Sequence, residues 1–276
     1  MAYTCPMCNN SGIIRNNQGD VFPCECIQRK RLISVYKEVG LPLKFIDVDL
    51  EQYVVKQDAY GKDIDTKSEK QKSTAKNVIS TFINALPKMM EGYPFVFEKN
   101  EGDKKYSFNS FSLVLSGQKD SGKSMLAACI IKGALKHGIR PFYIEWSEVI
   151  NACFDYYSDA TAKNKTKISK YERIISIIEL AKVLVIDNLD KAYENSSKYG
   201  DEDKLTSNVR RQIDAMFSIR AKSAVPTVIT TDQSFKELSA DNKYGPVFLS
   251  MLDDAIKVEL PTLGRSNNII DMKKVN

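Results

Sequence analysis

The eight residues Gly117-Gln-Lys-Asp-Ser-Gly-Lys-Ser124 constrain this chain more than any other feature. They read G-x-x-x-x-G-K-S, a loop whose glycines let successive backbone N–H groups converge on phosphate oxygens. Lys123 reaches the β- and γ-phosphates, and the Ser124 hydroxyl is placed to ligate magnesium. Gln118, Lys119, Asp120 and Ser121 complete the expected nucleotide cradle, with Met125 following it. The context is also right. Leu113-Val114-Leu115 reads as a buried strand, and Met125 to His137 as a helix ended by Gly138. Strand, loop and helix are what the motif requires.

A second apolar strand, Val183-Leu-Val-Ile-Asp187, ends on an aspartate where open parallel sheets hold their ligands. Asp187 is therefore expected to hold magnesium together with Ser124. The next residue, Asn188, cannot take a proton; Asp190 or another carboxylate has to serve, or hydrolysis is slow. Further strands are expected at Arg140–Trp146, Val225–Asp232 and Ile256–Leu260. Helical stretches at 147–157, 169–181 and 206–221 separate them. That alternation predicts an α/β fold: a P-loop NTPase sheet, parallel and flanked by helices.

Four of the six cysteines fall at the start, as Cys5-Pro-Met-Cys8 and Cys24-Glu-Cys26. The first pair has the gap of a zinc knuckle, while the second is one residue tighter than usual. Ile13, Ile14, Val21 and Phe22 give this segment too little apolar content for a core of its own, so zinc on the four thiolates is expected to stabilise it. Two disulfides in a secreted mini-domain are the competing reading. The start lacks a basic region followed by an apolar run, and no stretch approaches ~18 apolar residues, so a reducing cytoplasm and no membrane span are expected. Cys129 and Cys153 read as core residues. The single histidine, His137, excludes a multi-histidine metal site.

A zinc-binding domain is placed at 1–50, a polar linker at 51–71 and the ATPase domain at 72–276. Helical spacing resumes with Ala75, Val78, Ile79, Phe82 and Leu86. The formal net charge of +5 says little by itself. Two basic clusters localise it. Gln28-Arg-Lys-Arg31 leads into a short helix that stops near Gly40. Lys163, Lys165, Lys167, Lys170 and Arg173 could track a phosphate backbone if Lys163–Lys167 is extended, with Tyr156 and Tyr157 stacking on bases. A solvated face is the alternative for both.

Taken together, the cysteine module, Gly117–Ser124 followed by Leu126-Ala127, Val183–Asp187 and Pro226–Asp232 resemble the AAA+ helicase loaders of the DnaC/DnaI type, in a phage or mobile-element style. The resemblance implies an ATPase using ATP and Mg2+, with Zn2+ in a domain that engages a hexameric replicative helicase. It further implies loading onto single-stranded DNA and self-association on the helicase. Several positions depart from the family pattern. Asp120 replaces a glycine, but aspartate tolerates left-handed backbone. Asp232 stands where the sensor strand usually ends in asparagine, with Thr231 available to position water. Met251 stands where a trans-acting arginine finger is usual, so Arg210, Arg211 or Arg220 would have to substitute; Arg265 sits near where a sensor arginine would follow. The 44 residues after the sensor strand imply a reduced or absent helical lid. Two alternatives remain: an IstB-like transposition helper ATPase acting with a transposase, or a nucleotide-binding zinc adaptor with little hydrolysis.

Overall fold

The computed structural model describes residues 5–57, 61–101, 104–158, 165–190, 202–240 and 244–261. The chain opens with two short antiparallel strands, β1 (Ile13–Arg15) and β2 (Val21–Pro23). The loop that joins them turns at Gly19, whose φ is 87°. Helix α1 (Glu25–Glu38) follows directly from Cys24 and ends at Val39-Gly40.

Five strands build one parallel sheet: β5 (Ser112–Ser116), β6 (Pro141–Glu145), β7 (Val183–Asp187), β8 (Thr227–Thr231) and β9 (Ile256–Glu259). Their order is β6-β7-β8-β5-β9. Every residue of β5, β7 and β8 is buried. Near-continuous apolar runs fit such positions because helices cover both faces. Those helices are α2 (Thr66–Met90), α3 (Lys123–Lys136), α4 (Trp146–Ser158), α5 (Lys165–Leu180), α6 (Glu202–Ser223), α7 (Phe235–Ala240) and α8 (Pro246–Asp254). All five expected strands and the three expected helical stretches are present. Because β8 lies between β7 and β5, the carboxyl ends carrying Asp187, Asp232 and the phosphate loop meet side by side.

Helix α2 starts where Asp65 accepts a 2.9 Å bond from the Ser68 amide, a side-chain N-cap. Its apolar residues Val78, Ile79, Phe82 and Leu86 are fully buried, following the 3.6-residue period read from sequence. It packs tightly on α3. A Cβ on Gly133 would stand 2.4 Å from the Ile83 side chain.

Two regions differ from the sequence expectation. Residues 95–101 and 104–110 form an antiparallel pair, β3 (Phe95–Glu101) and β4 (Lys104–Ser110), separate from the main sheet. Its polar, lysine-rich composition hid the alternation. The segment from Tyr36 to Tyr53 also packs on the ATPase core, with Tyr36, Val39, Leu41, Phe45 and Tyr53 buried there. The Tyr143 amide donates to Val39 O at 2.8 Å, so this segment covers the β6 edge. Lys132 donates to Ile46 O at 2.7 Å and also to Val48 O. A boundary at residue 50 thus falls inside a strap anchored to the large domain. Its scattered apolar residues read as polar chain because each fills a separate notch.

Among the described residues no helix is long and apolar enough to cross a membrane.

Candidate functional site

The loop from Gly117 to Gly122 joins β5 to α3 as its spacing predicts. Gly122 has φ 96° and Asp120 φ 67°, so the aspartate adopts the left-handed backbone expected of it. Lys123 is buried and its ammonium donates to Gly117 O at 2.6 Å and Gln118 O at 2.8 Å. It also pairs with Asp232 at 2.7 Å. Lys119, Asp120, Gly122, Lys123, Ser124 and Met125 line a cleft of about 590 Å³, with Asn188, Asp190 and Asp232 opposite. Gln118 and Ser121 belong to the loop without lining that cleft. The cradle, its lysine and two strand ends therefore converge on one space.

Asp187 sits beside Ser124, whose hydroxyl donates to Oδ1 at 2.9 Å. A hydroxyl and a carboxylate at this separation offer hard oxygen donors that fit magnesium. Three further groups hold the buried carboxylate: Tyr143 OH and Asn188 Nδ2 donate to Oδ2, and Thr230 Oγ1 to Oδ1. Tyr143, on the neighbouring strand β6, was not singled out from sequence because it reads as an ordinary strand aromatic. Burial first, and then the Asp187 charge, push its phenol far above the ordinary range, so it remains a donor. Tyr143→Phe is expected to raise the magnesium concentration for half-maximal hydrolysis about tenfold to a hundredfold, roughly one hydrogen bond to a charged group. The rate at saturating magnesium should change little. A magnesium titration checks this.

Thr231 does not reach the cleft. Its hydroxyl donates to Asp190 at 2.7 Å and is buried there, so it orients Asp190 rather than a water. The Asp232 amide donates to the same carboxylate. Asp232 itself does line the cleft, but Arg265 lies outside the described residues. One substitute for an arginine finger fails. Arg220 is buried, donating to Ile178 O, Ala181 O, Pro226 O and Thr227 Oγ1, and burial draws its guanidinium down to about 9. Met251 is likewise buried in the second apolar cluster. A cavity of about 640 Å³ beside Arg220 and Met251 opens at the amino ends of β5 and β8, away from this chemistry.

Sequence reasoning also missed Tyr53, a lone aromatic in a polar stretch. Its ring lies against Gly122, where a Cβ would come within 2.7 Å, and its hydroxyl donates to Ser121 O at 3.4 Å. Lys44 and Phe45 from the same strap line the cleft.

The four N-terminal sulfurs lie within 4.8 Å of one another, Cys5 to Cys24 at 3.7 Å and Cys8 to Cys26 at 3.4 Å. A metal about 2.3 Å from each sulfur sets tetrahedral neighbours about 3.8 Å apart. The donor set fits such a centre. Against its burial, the Gly12 amide and the adjacent thiols hold Cys8 down to about 6, while Cys8 and then burial push Cys26 up to about 12. Crowded sulfurs cannot all ionise unless a cation joins them. Cys129 and Cys153 are core residues as expected, their thiols raised by burial.

The basic run is not an extended track. Lys165 and Lys167 lie in helix α5 rather than in an extended segment. Lys163 falls outside the described residues. Tyr156 stacks on Tyr171 with ring centroids 4.2 Å apart, so one face is already covered.

Fold and site define a P-loop nucleotide-binding domain on a parallel α/β sheet. The family model of the ATPase family associated with various cellular activities (AAA) matches residues 113–243. That segment is an AAA ATPase domain, and ATP hydrolysis is the activity such a domain carries. No curated protein matches the sequence. Among solved structures, the chain is similar to a DNA replication initiation factor (13% identity, TM-score 0.47, covering 78% of this chain and 49% of that one). It is similar to AMPPCP-bound DnaA from Aquifex aeolicus (13%, TM-score 0.45, covering 76% and 51%). The DnaC helicase loader is another (15%, TM-score 0.48, covering 80% and 100%). The chain spans about half the length of the first two.

Proposed function

We propose that this chain is an ATP-dependent loader of a hexameric replicative helicase onto single-stranded DNA in the cytoplasm. In this reading zinc occupies Cys5, Cys8, Cys24 and Cys26, and the N-terminal module grips the helicase. ATP and magnesium occupy the cleft around Lys123, Ser124 and Asp187, and copies assemble on the helicase.

The observation that carries the reading is the strap between the two modules. It leaves α1, covers Tyr143 through Val39, and places Tyr53 on Gly122. A partner pulling on the cysteine module thus acts on residues that touch both the phosphate loop and the magnesium aspartate. An isolated binding module would need no such connection. The four-block sequence resemblance supports the same partner.

Affinity capture from the native cell, with and without the first 35 residues, is the test. Recovery of a replicative helicase only with those residues is expected; recovery of a transposase would favour the transposition helper instead. One observation favours the zinc adaptor with little hydrolysis: Asn188 directs its amide to Asp187 and offers no base. That alternative turns on whether another carboxylate serves.

A further inference from the structure

Attack on a γ-phosphate by water needs a group to take the proton, and the residue beside Asp187 cannot. Asn188 points its Nδ2 at Asp187 Oδ2, 3.1 Å away. The described carboxylates around the cleft differ sharply in what they can accept. Asp187 is 1% exposed and already accepts from Ser124, Tyr143, Thr230 and Asn188. Asp190 has both oxygens bonded by the Thr231 hydroxyl, and Oδ2 also by the Asp232 amide. Asp120 belongs to the wrapping loop rather than to the strand ends.

Asp232 is different. It stands at the end of β8, its side chain 43% exposed, and its carboxylate accepts from Lys123 alone among the described residues. Its position is fixed through the backbone, whose N–H is bound by Asp190. The carboxylate is therefore held in place without its oxygens being used up. The Lys123 ammonium 2.7 Å away is the group that meets the terminal phosphates, so Asp232 borders the space where the γ-phosphate goes.

We infer that Asp232 is the catalytic base for ATP hydrolysis, the carboxylate having moved from the end of β7 to the end of β8. This rests on the ATPase reading above. Nucleotide binding draws Lys123 from Asp232 to the phosphate oxygens. Water oxygen then bonds to the γ-phosphorus while the bond from that phosphorus to the β–γ bridging oxygen breaks. The electron pair leaves with ADP, and the water proton passes to Asp232.

The test is single-turnover hydrolysis of ATP with magnesium, alongside equilibrium binding of a fluorescent ATP analogue. Asp232→Asn is nearly isosteric and keeps the backbone contact to Asp190. It should lower the rate about 10²–10⁴-fold, the range for a positioned base, with nucleotide affinity held or increased. Adding Asn188→Asp should recover at least about tenfold of that, since φ 57° at this position suits aspartate. An Asp232→Asn protein that hydrolyses at or above the wild-type rate would overturn the inference, by showing that Asp232 restrains Lys123. So would a loss as large in Asp190→Asn. Wild-type turnover no higher than Lys123→Ala would remove the ATPase reading, and the base with it.

Discussion

Lys123→Ala is expected to lower single-turnover ATP hydrolysis by at least about 10²–10³-fold, as does removal of one preorganised donor to developing charge elsewhere. Nucleotide affinity should fall with it, because the ammonium acts on the bound phosphates as well as on the transition state. The fold should survive. In the structure Lys123 bonds Gly117 O and Gln118 O, which form a surface loop that water can reach once the side chain is shortened. Its ionic partner Asp232 is 43% exposed and can be resolvated. A thermal melt within a few degrees of wild type, beside the lost hydrolysis, separates a site defect from a folding one.

The second large effect concerns the metal. The cluster at the amino terminus consists of Cys5, Cys8 and Cys24, with only Ile14 and Cys26 packed against it among the described residues. Met7, Ile13, Val21 and Phe22 are all exposed, Met7 by 72%. Two three-residue strands cannot supply the missing stability, since an isolated hairpin is marginal in water. Metal binding worth ~10–16 kcal/mol would decide the fold of such a module. Treatment with a strong chelator, or Cys24→Ser, should therefore make residues 5–35 rapidly protease-sensitive and abolish bound zinc. The ATPase core should keep its melting transition, because its apolar clusters are complete without those residues. Elemental analysis with limited proteolysis reads both; a module that stays resistant without metal would contradict the zinc assignment.

These two sites were legible because each rests on local spacing. Eight consecutive residues fix the phosphate loop, and four cysteines in 22 positions fix the cluster. The strands of the sheet were legible because full burial writes them as unbroken apolar runs. What stayed hidden depends on contacts between distant segments. Nothing in the sequence near Tyr143 says that Asp187, 44 residues on, will accept its hydroxyl. Tyr53 meets Ser121 across 68 residues, and the strap's isolated apolar residues have no period to betray them. Arg220 read as a possible substitute for an arginine finger, yet its four partners come from α5, β8 and the turns between, a set that only the folded sheet assembles. The carboxylate at Asp232 was visible as a departure from a pattern; its use emerges only with Asp190 and Lys123 in place.

The central claim, that nucleotide turnover at this cleft serves delivery of a helicase, is tested most directly by loading purified replicative helicase onto circular single-stranded DNA. Wild-type chain with ATP and magnesium should convert free helicase to DNA-bound helicase. Lys123→Ala and a chain lacking residues 1–35 should leave it free, for different reasons. Loading that proceeds equally well with either variant would contradict the account.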